Sequence, residues 1–183
     1  MGFGIETDIR DYNGVAVISH DPPRKGSLAL EEFFDLYKKM GNDVCLALNV
    51  KSDGLDEFIH CSLSQRQITN YFCFDMSVPD SLKYFSRSMK VYTRRSEYEA
   101  GSSLDMQAQG LWLDAFIEPY VPINNIIQCA NEQKNYCLVS PELHSKPYEQ
   151  AWSFWKKTVK ESSSVKAAIC TDFPDKAKWF FEG

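Results

Sequence analysis

The chain has 183 residues, 44% of them hydrophobic and 25% charged, with a formal net charge of −5. That is enough chain for one globular domain with its own core, and the acidic balance argues against nucleic acid as the main partner, since phosphate binding needs a basic face. No apolar run approaches the roughly 20 residues of a membrane span.

Acids arrive at once at the N-terminus and no apolar stretch follows them, unlike a secretory signal. The six cysteines have no C-x-x-C spacing. A zinc site is therefore a weak reading, and a reducing cytoplasm fits best.

In chain order, residues 4–21 read as strand, tight turn, short strand. Glu6 and Asp8 are two apart, so an extended chain puts them on one face. Two carboxylates on one face are costly unless a cation or a set of donors compensates them. This makes a metal site the sharp reading and a solvated acidic edge the bland one. His20 closes the second strand and is the nearest acid/base candidate. Asp21-Pro22-Pro23-Arg24-Lys25-Gly26 is a loop by composition. Ser27 is expected to cap a helix that carries Leu28, Leu30, Phe33, Phe34, Leu36 and Tyr37 and stops near Gly41.

Residues 44–51 form a near-continuous apolar run, expected to be a strand buried on both faces. Asp53-Gly54 is a turn, and Leu55 to Ile68 reads as helix. The unit then recurs. Strands are expected at Tyr71–Met76, Lys90–Arg95, Gly110–Phe116, Tyr136–His144, running into a polar end, and Val165–Pro174. Short helices are expected from Pro79, Glu97 and Asn124, a longer one over Tyr148–Val159, and a last turn or two from Lys176.

Repeated βα units with buried strands imply a parallel sheet with helices outside. An open doubly wound sheet and a (βα) barrel both satisfy this. Polar residues collect at or near the carboxyl ends of the strands: Glu6, Asp8, His20, Asn49, Lys51, Asp75, Arg94, Asp114, Glu142, His144 and Asp172. A barrel gathers such ends at one mouth. No glycine-rich phosphate loop follows any strand, which weakens the nucleotide-binding open sheet. The expectation is an α/β chain with a TIM-type (βα) barrel, as a single domain over residues 1–183.

Glu6-x-Asp8 on a strand, the Gly14 turn and Val17-x-x-His20-Asp21 together resemble the glycerophosphodiester phosphodiesterase family. Leu48-Asn49-Val50-Lys51, Gly110-Leu111-Trp112-Leu113-Asp114 and Thr171-Asp172-Phe173-Pro174 are similar to its later strands. The resemblance implies a (βα)8 barrel that hydrolyses small phosphodiesters with a divalent cation, magnesium or calcium. It implies Glu6 and Asp8 as metal ligands, with Asn49 at the third ligand position. His20 would be the histidine that protonates the leaving oxygen, and Lys51 a catalytic and phosphate-holding cation. Arg94, Asp114 and Glu142, with Lys51, are the expected substrate-binding residues.

Two departures from the family pattern stand out. The His-Arg-Gly strand that opens the family's barrel has no counterpart before Gly4, so about seven of eight strands are expected. A gap of that kind implies a homodimer across the open edge or a sheet closed by fewer strands. In addition, Asn49 stands where the family has a glutamate, so the cation would be weakly held. An inactive remnant barrel that binds a phosphorylated ligand or a partner is the alternative these departures leave open. Asp114 and Asp172 have a second reading as helix N-caps. His144 has two: a loop-ordering residue and a replacement acid/base.

Overall fold

The computed structural model describes residues 2–41, 43–121, 123–161 and 167–183. The chain divides into two compact units, Met1–Val91 and Tyr92–Gly183.

The first unit opens with strand β1, Ile5–Tyr12, and strand β2, Val15–Ile18. Tyr12 pairs antiparallel with Val15, which leaves a two-residue loop. Asn13 and Gly14 both have positive φ, 55° and 82°. This is the mirror-image turn whose twist matches a hairpin, and Asn-Gly is the pair that tolerates it. A short strand β3, Leu28–Ala29, then pairs with β2 before helix α1, Leu30–Lys39, begins.

This corrects the expected cap. Ala29 holds the N-cap position with no side-chain hydrogen bond, and the Ser27 hydroxyl instead accepts the Arg24 N–H at 3.1 Å. Pairing with β2 satisfies the backbone through Ala29 and delays the helix by two residues. Glu31 and Glu32 in its first turn complement the exposed N–H groups.

The unit continues with β4, Leu46–Val50, α2, Asp56–Gln65, β5, Tyr71–Phe74, and α3, Val78–Ser86. The sheet order is β3-β2-β1-β4-β5, with β1, β4 and β5 parallel. Ile9, Leu46, Leu48, Phe34, Ile59 and Tyr84 are fully buried in its core. The run 44–51 was expected to be buried on both faces, but β4 alternates. Leu46, Leu48 and Val50 are buried, whereas Ala47 and Asn49 are only partly so. The half-open face is the one that carries Asn49.

The second unit is a fully parallel sheet, β6-β7-β8-β9. Its strands are Tyr92–Arg95, Gly110–Leu113, Asn135–Val139 and Ala167–Cys170. Helices α4, Ile123–Asn131, α5, Glu149–Glu161, and α6, Pro174–Glu182, follow β7, β8 and β9. Trp155, Tyr136, Leu111 and Leu113 are fully buried. Residues 165 and 166 of the expected last strand lie outside the described residues. Among those described, seven strands run in βα fashion, three in the first sheet (β1, β4, β5) and four in the second, which meets the expected number.

The expected helix from Glu97 also differs. Ser96 and Glu99 face each other across a tight turn, and helical structure begins only at the short turn Ser103–Met106, capped reciprocally by Ser102 and Asp105. Glu97 and Glu99 are drawn away by other partners. The Glu97 carboxylate accepts the backbone N–H groups of Phe116, Ile117 and Glu118 at 3.0, 3.0 and 2.8 Å. Glu99 accepts the Arg94 guanidinium at 2.6 Å.

Gly110 starts β7 where no side chain fits. An added Cβ would lie 2.7 Å from the Asn135 carbonyl oxygen and against the Tyr92 ring. Gly110→Ala is expected to cost about 3 kcal/mol through overpacking between two strands. Urea unfolding checks this, and a midpoint equal to that of the wild type would refute it. No helix among the described residues is long and apolar enough to cross a membrane.

Candidate functional site

The first unit gathers five polar side chains along its parallel strands and just beyond their carboxyl ends, with Glu6 the one near a strand start. Register puts Asp8 of β1 beside Asn49 of β4, and Glu6 beside Ala47. Paired positions point to the same face, so Glu6, Asp8 and Asn49 share one. Lys51 leaves β4 just beyond, anchored by its N–H to the Ile9 carbonyl at 2.9 Å. Asn49 is next to Phe74 of β5, and Asp75 follows that strand.

The Lys51 ammonium lies 2.6 Å from Asp75 Oδ2 and 3.8 Å from Asp8 Oδ1. Asp75 is thus the acid that holds Lys51. Its place at a strand end offered it as an acid that could make up for Asn49 at a cation; its pairing with Lys51 was not legible, because which lysine it meets depends on strand register. Its backbone is in the left-handed region, φ 72°, a costly state for a residue with a side chain and one that often marks a functional position.

The electrostatics are those of crowded acids. Glu6 is pushed up to about 7, first by burial and then by the charge of Asp8, against a hydrogen bond from Asn49 and the charges of Lys51 and His20. Glu6 still exposes more than a third of its surface, and solvent there screens part of the penalty. Asp8 is also raised, first by burial and against the pull of Lys51.

The Asn49 amide donates to Glu6, while its carbonyl oxygen is buried with no hydrogen-bond partner among the described residues. An orphaned buried oxygen costs about 1–3 kcal/mol. Here it sits beside two carboxylates that resist ionising. This donor set is all oxygen, with two potential charges, and fits a hard divalent cation that takes one or two carboxylates and fills its other positions with water or phosphate. Among the described residues no group of three or more histidines, cysteines and acids gathers, so the fit depends on the Asn49 carbonyl as third donor.

His20 stands on the loop after β2. The Ser19 N–H donates to the Asp8 carbonyl at 3.0 Å, which brings the start of that loop alongside Asp8. The His20 carbonyl accepts Arg10 Nε at 3.0 Å. Its ring is 85% exposed and pairs through Nδ1 with Asp21 at 3.0 Å.

The other expected site residues lie in the second unit. Arg94 on β6 is paired with Glu99, and its guanidinium lies 5.8 Å from the centre of the Phe116 ring. Asp114, just after β7, accepts the Ala115 N–H at 2.9 Å and meets His144 Nε2 at 2.6 Å. Glu142 follows β8. It accepts the Ser140 and Thr171 hydroxyls and, at 3.3 Å, the Asp172 N–H. Neither Asp114 nor Asp172 caps a helix: α4 begins only at Ile123, and the N-cap of α6 is Phe173 with no side-chain bond. Their placement at strand ends was legible from the βα pattern; the His144 contact was not.

No protein-family model matches the chain, and no curated protein matches it in sequence. Solved structures do. A candidate glycerophosphodiester phosphodiesterase from Galdieria sulphuraria superposes with a TM-score of 0.72 at 14% identity, over 99% of this chain and 86% of that one. The glycerophosphodiester phosphodiesterase from Agrobacterium tumefaciens gives a TM-score of 0.62 at 12% identity, over 99% of this chain and 87% of that one. At such identities the likeness speaks for the fold: the chain has the α/β fold of the TIM-type (βα) class that it shares with these glycerophosphodiester phosphodiesterase structures.

Proposed function

We propose that the chain is a phosphodiester hydrolase acting on a glycerophosphodiester or a similar small diester. The observation that carries this is the oxygen cluster of the first unit, Glu6, Asp8 and the unpartnered carbonyl of Asn49, next to the Lys51 ammonium. The fold shared with solved glycerophosphodiester phosphodiesterases supports it.

Glu6, Asp8 and Asn49 would hold a magnesium or calcium ion, and such an ion would polarise a phosphoryl oxygen. Lys51 offsets charge that builds on the phosphate as the bond to the alcohol breaks. Asp75 keeps its ammonium in place. His20 gives a proton to the departing oxygen, the role of a general acid. The step draws on first-unit residues; Arg94, Asp114 and Glu142 are paired within the second unit. The six cysteines are all free, as suits a cytoplasmic location.

The test is release of the alcohol from glycerophosphocholine and glycerophosphoethanolamine by the purified chain, with magnesium, with calcium and with a chelator. Cation-dependent release is expected. No release under any cation overturns the proposal and leaves a barrel that at most binds such ligands.

A further inference from the structure

Lys51 and Asp75 open the two loops that leave β4 and β5, and their 2.6 Å pair depends on the distance between those loops. Strand pairing alone does not fix that distance. The register between the strands ends at Asn49 and Phe74, and Asp75 turns away with φ 72°. The Lys51 side chain is 28% exposed, and a lysine stem is long and flexible.

Two hydrogen bonds tie loop to loop a few residues beyond the ion pair. The Ser77 hydroxyl donates to Asp53 Oδ2 at 2.8 Å, and the Gly54 N–H donates to Asp80 Oδ1 at 3.0 Å. Asp53 and Gly54 stand two and three residues after Lys51; Ser77 and Asp80 stand two and five after Asp75. Gly54 turns with φ 83°, a conformation glycine allows, and this turn presents its N–H to Asp80.

Asp80 is the member of this clamp that its own helix does not explain. It stands in the first turn of α3, where a surface acid would complement the exposed N–H groups. Its side chain is instead 1% exposed. Oδ1 accepts from Gly54, twenty-six positions back, and from Lys83 Nζ at 2.9 Å. Oδ2 is buried with no partner among the described residues, which is costly. The helix has its cap already, since the Ser77 hydroxyl accepts the Asp80 N–H at 3.3 Å. Helices α2 and α3 have their own tie as well, from Arg87 Nε to Asp56 Oδ2 at 2.6 Å. What the buried carboxylate adds is the bond to the loop that carries Lys51.

We propose that Asp80 is a positioning residue for Lys51, and that Asp53 and Ser77 share the task. Together they hold the loop after β4 against the loop after β5, so that the ammonium stays at Asp75 and Asp8. The assignment rests on the phosphodiesterase reading for the reaction that Lys51 serves, and on the first unit alone for its geometry. Lys51 offsets charge only while it is in place as that charge builds, and the clamp fixes that place before substrate arrives.

The experiment measures hydrolysis of a glycerophosphodiester by the full chain and by Asp53→Ala, Asp80→Ala and Asp80→Asn. The Lys51 ammonium is followed by nitrogen NMR, its signal identified by its loss in Lys51→Arg. Asp53→Ala and Asp80→Ala are expected to lower kcat by about 10–100-fold with KM little changed, as when a contact made in the transition state is misplaced. Both are expected to broaden the Lys51 signal through faster exchange with water. Asp80→Asn keeps an oxygen for the Gly54 N–H, and its kcat is expected to stay within about threefold of the wild type. Wild-type kcat in Asp80→Ala, in a chain that does hydrolyse diester, overturns the positioning role and leaves the hydrolase reading intact. Asp80→Asn as slow as Asp80→Ala also overturns it, since the acceptor is then not what counts. A wild-type chain inactive on every diester overturns the hydrolase reading and the catalytic role with it; the Lys51 signal then decides the clamp, and an unbroadened signal in Asp80→Ala overturns that too. Should Asp80→Ala fail to fold, Asp53→Ala, at an exposed position, decides: wild-type kcat and signal there overturn the proposal.

Discussion

Cation affinity is expected to rise by about 100-fold between about pH 5 and pH 7 in the intact chain, and to be weak and nearly flat over that range in Glu6→Gln. A divalent cation binds the ionised carboxylate, so it competes with the proton on Glu6. Burial and the neighbouring charge of Asp8 hold that proton up to about 7. Below that point each pH unit lost costs about a factor of ten in affinity; above it the gain stops. Asp8, also raised by burial, steepens the slope at the acid end.

The cation-free fold has the opposite dependence. Well below 4.5 the Glu6 proton stays on in folded and unfolded chains alike. Between the ordinary value of 4.5 and about 7 the unfolded chain ionises and the folded one does not, so stability falls as pH rises through that window. Added calcium should therefore raise the melting temperature at pH 8 and do little at pH 5. Calorimetric titration and thermal melts read both effects. Equal slopes in the wild type and Glu6→Gln would remove Glu6 from the cation site.

The reach of the sequence differs between the two kinds of feature in this protein. Glu6 and Asp8 were legible because a strand has a fixed two-residue period. The hairpin that follows was legible because Asn13-Gly14 suits positive φ at both positions. The strands of the second sheet were legible as apolar runs bounded by polar ends. What was not legible is set by register and by non-local attraction. Asp75 reaches Lys51 only because β4 and β5 pair with Asn49 beside Phe74. Glu97 leaves its expected helix because three amides of a loop some twenty residues on collect around its carboxylate. Ser27 loses its capping role to a two-residue strand that no local pattern announces. Asp114 and His144 are thirty positions apart and meet only once β7 and β8 are neighbours.

Asn49→Glu is the substitution expected to change the first unit most. Two outcomes are expected together: a lower melting temperature in chelator, and cation affinity raised by about 10–100-fold. Asn49 now does two things. Its amide donates to Glu6, and its buried carbonyl oxygen is left without a partner. Glutamate removes the donor and adds a third acid facing Asp8 across the register. Without a cation, three acids crowd one face with Lys51 as the nearby cation, and Lys51 is already held at 2.6 Å by Asp75. Like-charge repulsion then pushes their pKa values further up and loosens the fold. With calcium the same three carboxylates become ligands, so the stabilisation lost in chelator returns and exceeds that of the wild type. Asn49→Leu separates the two roles. It removes the orphaned oxygen as well as the donor, and should leave the melt in chelator near that of the wild type while abolishing any shift with calcium. If Asn49→Glu melts alike with and without calcium, the β1–β4 face is not a cation site, and the two acids beside Asn49 are held for the fold alone.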